Sequence, residues 1–201
     1  MYGMTMAAVL PADIAQEPYT FLLGGSNAST VDEIQSKVGG VFDAVTMRAV
    51  NEDDMSSFVM VGYIHDEGLI LDLPFNATAS TLFGRELRGD VVIVSGTNPD
   101  THEYDGENHD LPMNFYEYIV HVMHKSARES VAVSRMLASA VSLGLMGGVI
   151  TQEEFEYLQK YAELRGQTDV SGTLDSMPER WVSLVTKCVA YAIEQTEKDG
   201  E

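Results

Sequence analysis

Residues 19–96 show the two-residue alternation of hydrophobic and polar positions that is typical of β-strands, interrupted by two stretches with helical spacing. Strands are predicted at the apolar runs 19–23, 41–50, 58–64, 69–71 and 91–94. The acidic turn from Asn51 to Asp54 separates the second run from the third, as expected for an antiparallel pair. The order β-α-β-β-(β)-α-β therefore predicts a small α+β domain with a mixed sheet and two short helices.

Both helices of this domain have start and stop signals in the sequence. Thr30 and Glu33 match a capping box at the start of the first helix, and Gly39 can end that helix in a left-handed conformation. Asn76 is a favourable N-cap for the second helix, which Gly84 can end. The first helix is therefore expected after the first strand, and the second just before the last strand.

The pattern changes on either side of this domain. Residues 1–18 have no clear periodicity and end at Pro18, which predicts a mobile lead-in. Residues 97–110 contain acidic residues but no basic ones and lack periodic apolar spacing, so they are predicted to form an acidic linker. Residues 111–201 follow helical spacing and predict a separate helical domain.

About four helices are predicted in the C-terminal region. Pro112 suits the first turn of one helix, and a second helix is expected from about Ala127 to Leu145. Two further helices open at the capping boxes Thr151 with Glu154 and Ser176 with Glu179.

The last of these helices carries an apolar stripe. Trp181, Val185, Cys188 and Ala192 follow one another at helical spacing. Trp181 is therefore predicted to be buried against the other helices, and Cys188, the only cysteine, is predicted to be a small buried hydrophobic residue.

The charge of the chain restricts its partners. Asp and Glu total 31 against 12 Lys and Arg, which gives a net charge of −19. Such a chain repels a polyanion, so direct nucleic-acid binding is disfavoured. No apolar run reaches the length expected of a membrane span and no secretory signal is recognisable, so a cytoplasmic protein without membrane contact is predicted.

The stretch from Thr30 to about Gly96 resembles the domain-of-unknown-function family 3846 of bacterial, plasmid and especially phage genomes. The resemblance depends on the order of several short pieces, whose principal residues are Gly39, Gly40, Pro74, Asn76, Gly84, Gly89 and Asp90. It implies a phage or mobile-element protein acting in the cytoplasm of a bacterial host. A structural role is expected for the matching residues, because glycine and asparagine at such positions end helices, begin them or form turns.

One group of side chains is a candidate metal site. Glu117, His121 and His124 are spaced at i, i+4 and i+7 and would share one face of a regular helix. Neither an HExxH motif nor paired CxxC motifs accompany them, so a solvated helical face is the preferred interpretation. The sequence shows no catalytic constellation and implies no cofactor.

Three functional hypotheses remain open. The first is a non-enzymatic phage or mobile-element accessory protein that binds a host or phage protein. The second is an acidic DNA mimic that inhibits a DNA-binding protein. The third is a small-molecule binder with its site at the domain junction. The oligomeric state and the identity of the protein partner are left open by the sequence.

Overall fold

The computed structural model describes residues 4–24, 29–50, 57–167 and 178–199. The chain divides into two compact units, Met1–Ser130 and Val131–Glu201. The first unit combines a sheet with helices, and the second is helical in the ranges described. The α+β class predicted from the sequence is confirmed.

The first unit is built on a sheet that has six strands in the described ranges. The strands are β1 Thr5–Leu10, β2 Tyr19–Leu23, β3 Phe42–Val50, β4 Ser57–His65, β5 Val91–Thr97 and β6 Tyr104–His109. Their order is β2-β1-β5-β4-β3, and β6 also pairs with β5. Every pair is antiparallel, so the prediction of a mixed sheet is wrong.

Two strands lie where the sequence predicted no regular structure. β1 falls in the predicted lead-in 1–18, yet it pairs with β2 on one side and β5 on the other. β6 falls in the predicted linker 97–110 and pairs with the end of β5. The alternation of apolar and polar residues could not reveal β1, because Ala7 to Leu10 are all buried and no polar residue alternates with them. It failed for β6 because most of that strand is exposed and polar.

The strand β5 lies at the centre of the sheet. All seven of its residues are buried, and it pairs with β1, β4 and β6. One sheet face is covered by helix α1, Thr30–Val38, through Ile34 and Val38. The other face is covered by helix α2, Ala77–Phe83, and by a longer helix that contributes Ile119. The sheet is therefore the middle of three layers.

The longer helix is continuous from Met113 to Met146. It begins as α3, Met113–Tyr118, passes through a π-helical segment, Ile119–His124, and continues as α4, Lys125–Met146. Two separate helices were predicted here. Because Ile119 is fully buried in the core of the sheet unit, the boundary between units falls after Ser130 and not at residue 111.

The apolar run Leu69 to Leu71, predicted as a strand, forms a turn. All three side chains are exposed, Ile70 by 82%. The Leu71 amide donates to the Glu67 carbonyl at 2.9 Å, and the next residue, Asp72, adopts a φ of 50°. The local hydrogen bonds of the turn leave this run unpaired with the sheet.

The second unit contains the greater part of α4 together with α5, Gln152–Gln167, and α6, Glu179–Asp199. The capping box at Thr151 and Glu154 is confirmed by reciprocal hydrogen bonds of 2.8 and 3.2 Å. The predicted cap at Ser176 and the acidic turn 51–54 lie outside the described residues.

The core of the second unit confirms much of the predicted apolar stripe. Cys188 is fully buried and Val185 is buried. Burial raises the pKa of the Cys188 thiol, which keeps it protonated. Trp181 is half-buried against this core, and its indole Nε1 is buried without a hydrogen-bond partner in the described part of the chain.

The helix Met113–Met146 is long and apolar enough, by length and composition alone, to cross a membrane. The mean hydropathy of its most apolar window is 1.2, and 11% of that window is buried. No segment of this kind was expected from the sequence. The window qualifies because it combines many apolar residues, Ala and Val among them, with few charged ones, although Ser and other polar residues interrupt the apolar run.

Candidate functional site: a polar cleft at the sheet edge

Several residues of the stretch from Thr30 to about Gly96, called here the family-like stretch, meet at one buried junction of the sheet unit. Asn76 is fully buried, and its Oδ1 accepts a hydrogen bond of 2.9 Å from the Ala79 amide at the start of α2. Its Nδ2 donates to the carbonyls of Leu10 and Gly89, at 2.9 and 3.0 Å. The Asn76 side chain therefore joins β1, α2 and the turn before β5.

The neighbouring family-like residues support the same junction. The Gly89 amide donates to the Pro74 carbonyl at 2.8 Å, and Asp90 accepts from the Ala12 amide at 2.8 Å. Gly89 has a φ of 79°, which favours glycine. These contacts agree with a structural role at this junction.

The remaining family-like residues end the two helices or pack beside a strand. Gly39 and Gly84 have φ values of 86° and 64° and form the left-handed ends of α1 and α2. A Cβ at Gly40 would lie 2.4 Å from the His65 ring. The cap of α1 is Ser29, with Asp32 as its partner, and not the predicted Thr30.

The three candidate metal ligands do not share an environment. Glu117 and His121 are exposed, whereas His124 is buried to 1% exposure. The π-helical segment changes the helical spacing between these residues, so the predicted common face does not form. No group of three or more potential metal ligands occurs in the described ranges.

His124 instead belongs to a buried contact between helices. Its Nδ1 lies 2.9 Å from the hydroxyl of Thr78, which is itself fully buried. Its Nε2 lies 3.7 Å from Glu17, whose carboxylate accepts a hydrogen bond of 3.0 Å from Arg128. Burial lowers the pKa of His124, and Arg128 acts in the same direction while Glu17 opposes it. This arrangement fixes the segment before β2 against the long helix.

A polar cleft of about 570 Å³ lies at the edge of the sheet. Its volume is within the usual range of small-molecule sites. It is lined by residues of β1, β2, β4, α1 and the β6 region: Met4, Thr5, Leu23, Thr30, Tyr63, Pro99, Gly106, Glu107, Asn108, His109 and Asp110.

Hydrogen bonds position the polar side chains of this cleft. The Tyr63 hydroxyl donates to Asn108 Oδ1 at 2.7 Å, and the Thr5 hydroxyl donates to the Asn108 carbonyl at 3.1 Å. Asp110 Oδ1 accepts from the Met6 amide at 2.6 Å. Burial raises the pKa of Tyr63, so its hydroxyl stays protonated and remains a donor. The cleft wall is therefore held from β1, β4 and β6 together.

The electrostatics of the cleft are acidic. Among the described residues that line the cleft, His109 is the only titratable base, and Asp105 engages it at 3.0 Å. The Glu107 amide, followed by the His109 and Asn98 side chains, holds the pKa of Asp105 at about 2. None of the ion pairs among the described residues includes Glu107 or Asp110. These two carboxylates leave the cleft with uncompensated negative charge.

Sequence reasoning missed this cleft. The residues that line the cleft are far apart in the sequence of the sheet unit. Two of the strands that contribute them, β1 and β6, were not predicted. The acidic character of residues 97–110 was a usable signal, but it was interpreted as a solvated linker.

No protein-family model matches the chain, and no curated protein matches it. A solved structure described as that of the small RNA methyltransferase HEN1 is similar over 58% of this chain and 16% of that chain. The sequence identity is 18% and the TM-score is 0.38.

The sequence predicted a non-enzymatic accessory protein, with a DNA mimic as the alternative, whereas this structural neighbour is an enzyme. A likeness with a TM-score of 0.38 carries no argument about the activity of this chain. No methyl transfer is assigned to it.

Proposed function

We propose that the sheet unit binds a small organic cation, a compound with an amine or guanidinium group, in the cleft at the sheet edge. The observation that carries the proposal is the pair of carboxylates, Glu107 and Asp110, in a cleft whose described lining contains no Lys or Arg. Charges of one sign inside a concave site attract the opposite charge and raise its local concentration.

The remaining lining suits a small ligand with both polar and apolar parts. Tyr63 and Asn108 supply a positioned hydroxyl and amide, and Met4 and Pro99 supply apolar surface. Small-molecule sites commonly combine apolar walls with a few fixed polar groups. A linear diamine or its guanidinium derivative has this combination of charge and hydrocarbon.

The test is isothermal titration calorimetry of the full chain with agmatine and putrescine, using butanediol and succinate as neutral and anionic comparisons. Saturable binding of a cationic compound alone is expected. Glu107→Gln should weaken it by up to about fivefold, the scale of one ion pair made by an exposed carboxylate.

Glu103→Gln is the matched control, because Glu103 lies in the same acidic segment but does not line the cleft. It should leave the affinity unchanged within about twofold, because its charge lies outside the cleft and is screened by salt. Equal weakening by the two variants would show general attraction to a chain of charge −19 and would refute a specific site.

A further inference from the structure

The second unit contains a groove of about 430 Å³ between α4 and α6. This volume is within the range usual for sites that bind small molecules. The groove is lined by residues of both helices: Arg135, Met136, Ser139, Ala140, Leu143, Ala192, Gln195 and Thr196. All of them belong to the second unit, so the groove lies within one compact body of the chain.

Much of the groove is apolar. Ala140 is buried and Ala192 is half-buried, and these two small side chains leave space between the helices. Met136 and Leu143, which are 71% and 40% exposed, border the same space. Hydrocarbon placed in the groove would remove its own apolar surface and that of these side chains from water, which favours binding.

The charge in the groove is positive, in contrast to the rest of the chain. The described lining contains Arg135 and no Asp or Glu. None of the ion pairs among the described residues includes Arg135. The helical spacing of α6 places Glu194 and Glu197 away from the face that carries Ala192 and Gln195. The Arg135 guanidinium is therefore free to bind an anionic group.

The positions of charge and apolar surface along α4 suit a ligand with two different ends. Arg135 is at one end of the α4 lining and Leu143 is at the other. The helix rises about 12 Å between these two residues. A guanidinium group matches a carboxylate, which can accept two parallel N–H bonds from it. A carboxylate joined to an alkyl chain of similar length therefore fits both features.

We propose that the α4/α6 groove binds a single-chain alkyl carboxylic acid of medium length. The carboxylate of the ligand pairs with Arg135, and its alkyl chain lies along Ala140, Ala192 and Leu143. This inference is independent of the ligand cleft in the first unit, which is proposed to take a cation.

Isothermal titration calorimetry of the full chain with octanoate, below its critical micelle concentration, tests the proposal. Saturable binding of one molecule per chain is expected. The affinity should rise from butyrate to hexanoate to octanoate, by up to about fourfold for each methylene group that leaves water. The uncharged 1-octanol should bind more weakly than octanoate, by up to about fivefold, the scale of an exposed ion pair.

A charge variant tests the role of Arg135. Arg135→Gln should lower the affinity for octanoate to that for 1-octanol and leave the affinity for 1-octanol unchanged. Arg48→Gln is the matched control, because it removes the same charge from an exposed position of β3 outside the groove. It should change the affinity for octanoate by no more than about twofold, since a distant exposed charge is screened by salt.

A steric variant tests the location of the alkyl chain. Ser139→Trp places a large ring at an exposed position of the lining and should abolish saturable binding. Ser142→Trp, at an exposed position of the same helix outside the lining, should not. Circular dichroism establishes that the variants are folded.

Three results would overturn the proposal. They are a chain that does not bind octanoate, equal affinities for octanoate and 1-octanol, and equal loss of binding in the two tryptophan variants. If the chain fails to bind octanoate but floats with phosphatidylcholine vesicles, and Ser139→Trp prevents this flotation, the groove belongs to a bilayer-binding surface instead.

Discussion

Replacement of Asn76 by aspartate is expected to destabilise the sheet unit severely, although the two residues are about equally good helix N-caps. The cap itself survives, because a carboxylate oxygen can still accept from the Ala79 amide. The two other hydrogen bonds do not survive, because aspartate offers no donor to the carbonyls of Leu10 and Gly89. The variant therefore separates the capping role of Asn76 from its role as a buried cross-link.

The size of this loss of stability follows from the two carbonyl groups that lose their hydrogen-bond donor. A buried polar group left without a partner costs about 1–3 kcal/mol, so the two together cost roughly 2–6 kcal/mol. Repulsion between a buried carboxylate and the carbonyl oxygens adds to this cost. A typical domain is stable by only about 5–15 kcal/mol, so the loss is a large fraction of the total.

Urea unfolding followed by circular dichroism is the appropriate assay, because Trp181 lies in the other unit and its fluorescence reports there. The burial of the new carboxyl raises its pKa, so part of the lost stability should return as the pH is lowered and the group becomes neutral. Thr151→Asp, at the exposed cap of α5, is the control and should change stability by less than about 0.5 kcal/mol. A similarly small effect of Asn76→Asp would falsify the cross-link and leave only the cap.

Three further outcomes can be measured in the same way. Burial lowers the pKa of His124 from 6.5. The stability that depends on its neutral ring is therefore present above pH 6.5 and is lost as the pH falls through the lowered value. His124→Gln should reduce this dependence of stability on pH, as measured by urea titrations at several pH values. A Cβ at Gly144 would lie 2.5 Å from Cys188 Sγ, so Gly144→Ala should cost about 1–3 kcal/mol in thermal unfolding, and Cys188→Ala should relieve part of that cost. Trp181→Ala should destabilise the helical unit more than Trp181→Phe, because phenylalanine keeps much of the packing and removes the unpaired indole N–H; equal midpoints in calorimetry would contradict this.

The elements that sequence reasoning recovered are those with local signals. Asn76 and Gly84 bound α2 as predicted, and Gly39 ends α1. Thr151 with Glu154 opens α5 as predicted. In each case the signal and the structure it determines lie within one helical turn, so no knowledge of distant contacts was needed.

The elements that it missed depend on distant partners. β1 is a strand because β2 and β5 lie on either side of it, and Leu69 to Leu71 is not a strand because no neighbour pairs with it. The same limit applies to the site residues. The spacing of His121 and His124 suggested a shared face, whereas Thr78 and the π-helical segment determine where His124 lies.

The cleft could not be predicted for the same reason. Thr5, Tyr63 and Asn108 are joined by hydrogen bonds, but they are separated by tens of residues in the chain. The Asn76 side chain shows the difference between local and distant contacts most clearly. Its role as a helix cap could be predicted from the neighbouring sequence, whereas the two hydrogen bonds that its amide donates reach Leu10 and Gly89. A linear pattern shows which groups can bond, and the fold determines which of them meet.

The pairing of β1 with β5 sets an order of events during synthesis of the chain. Val9 pairs with Val92, so β1 remains open along that edge until the chain has grown by another 83 residues. At about 5–20 residues per second, the wait is roughly 4–17 s. During that interval β2 is the only strand that can pair with β1, and a chaperone that binds short apolar segments would find its earliest target at the open edge of β1.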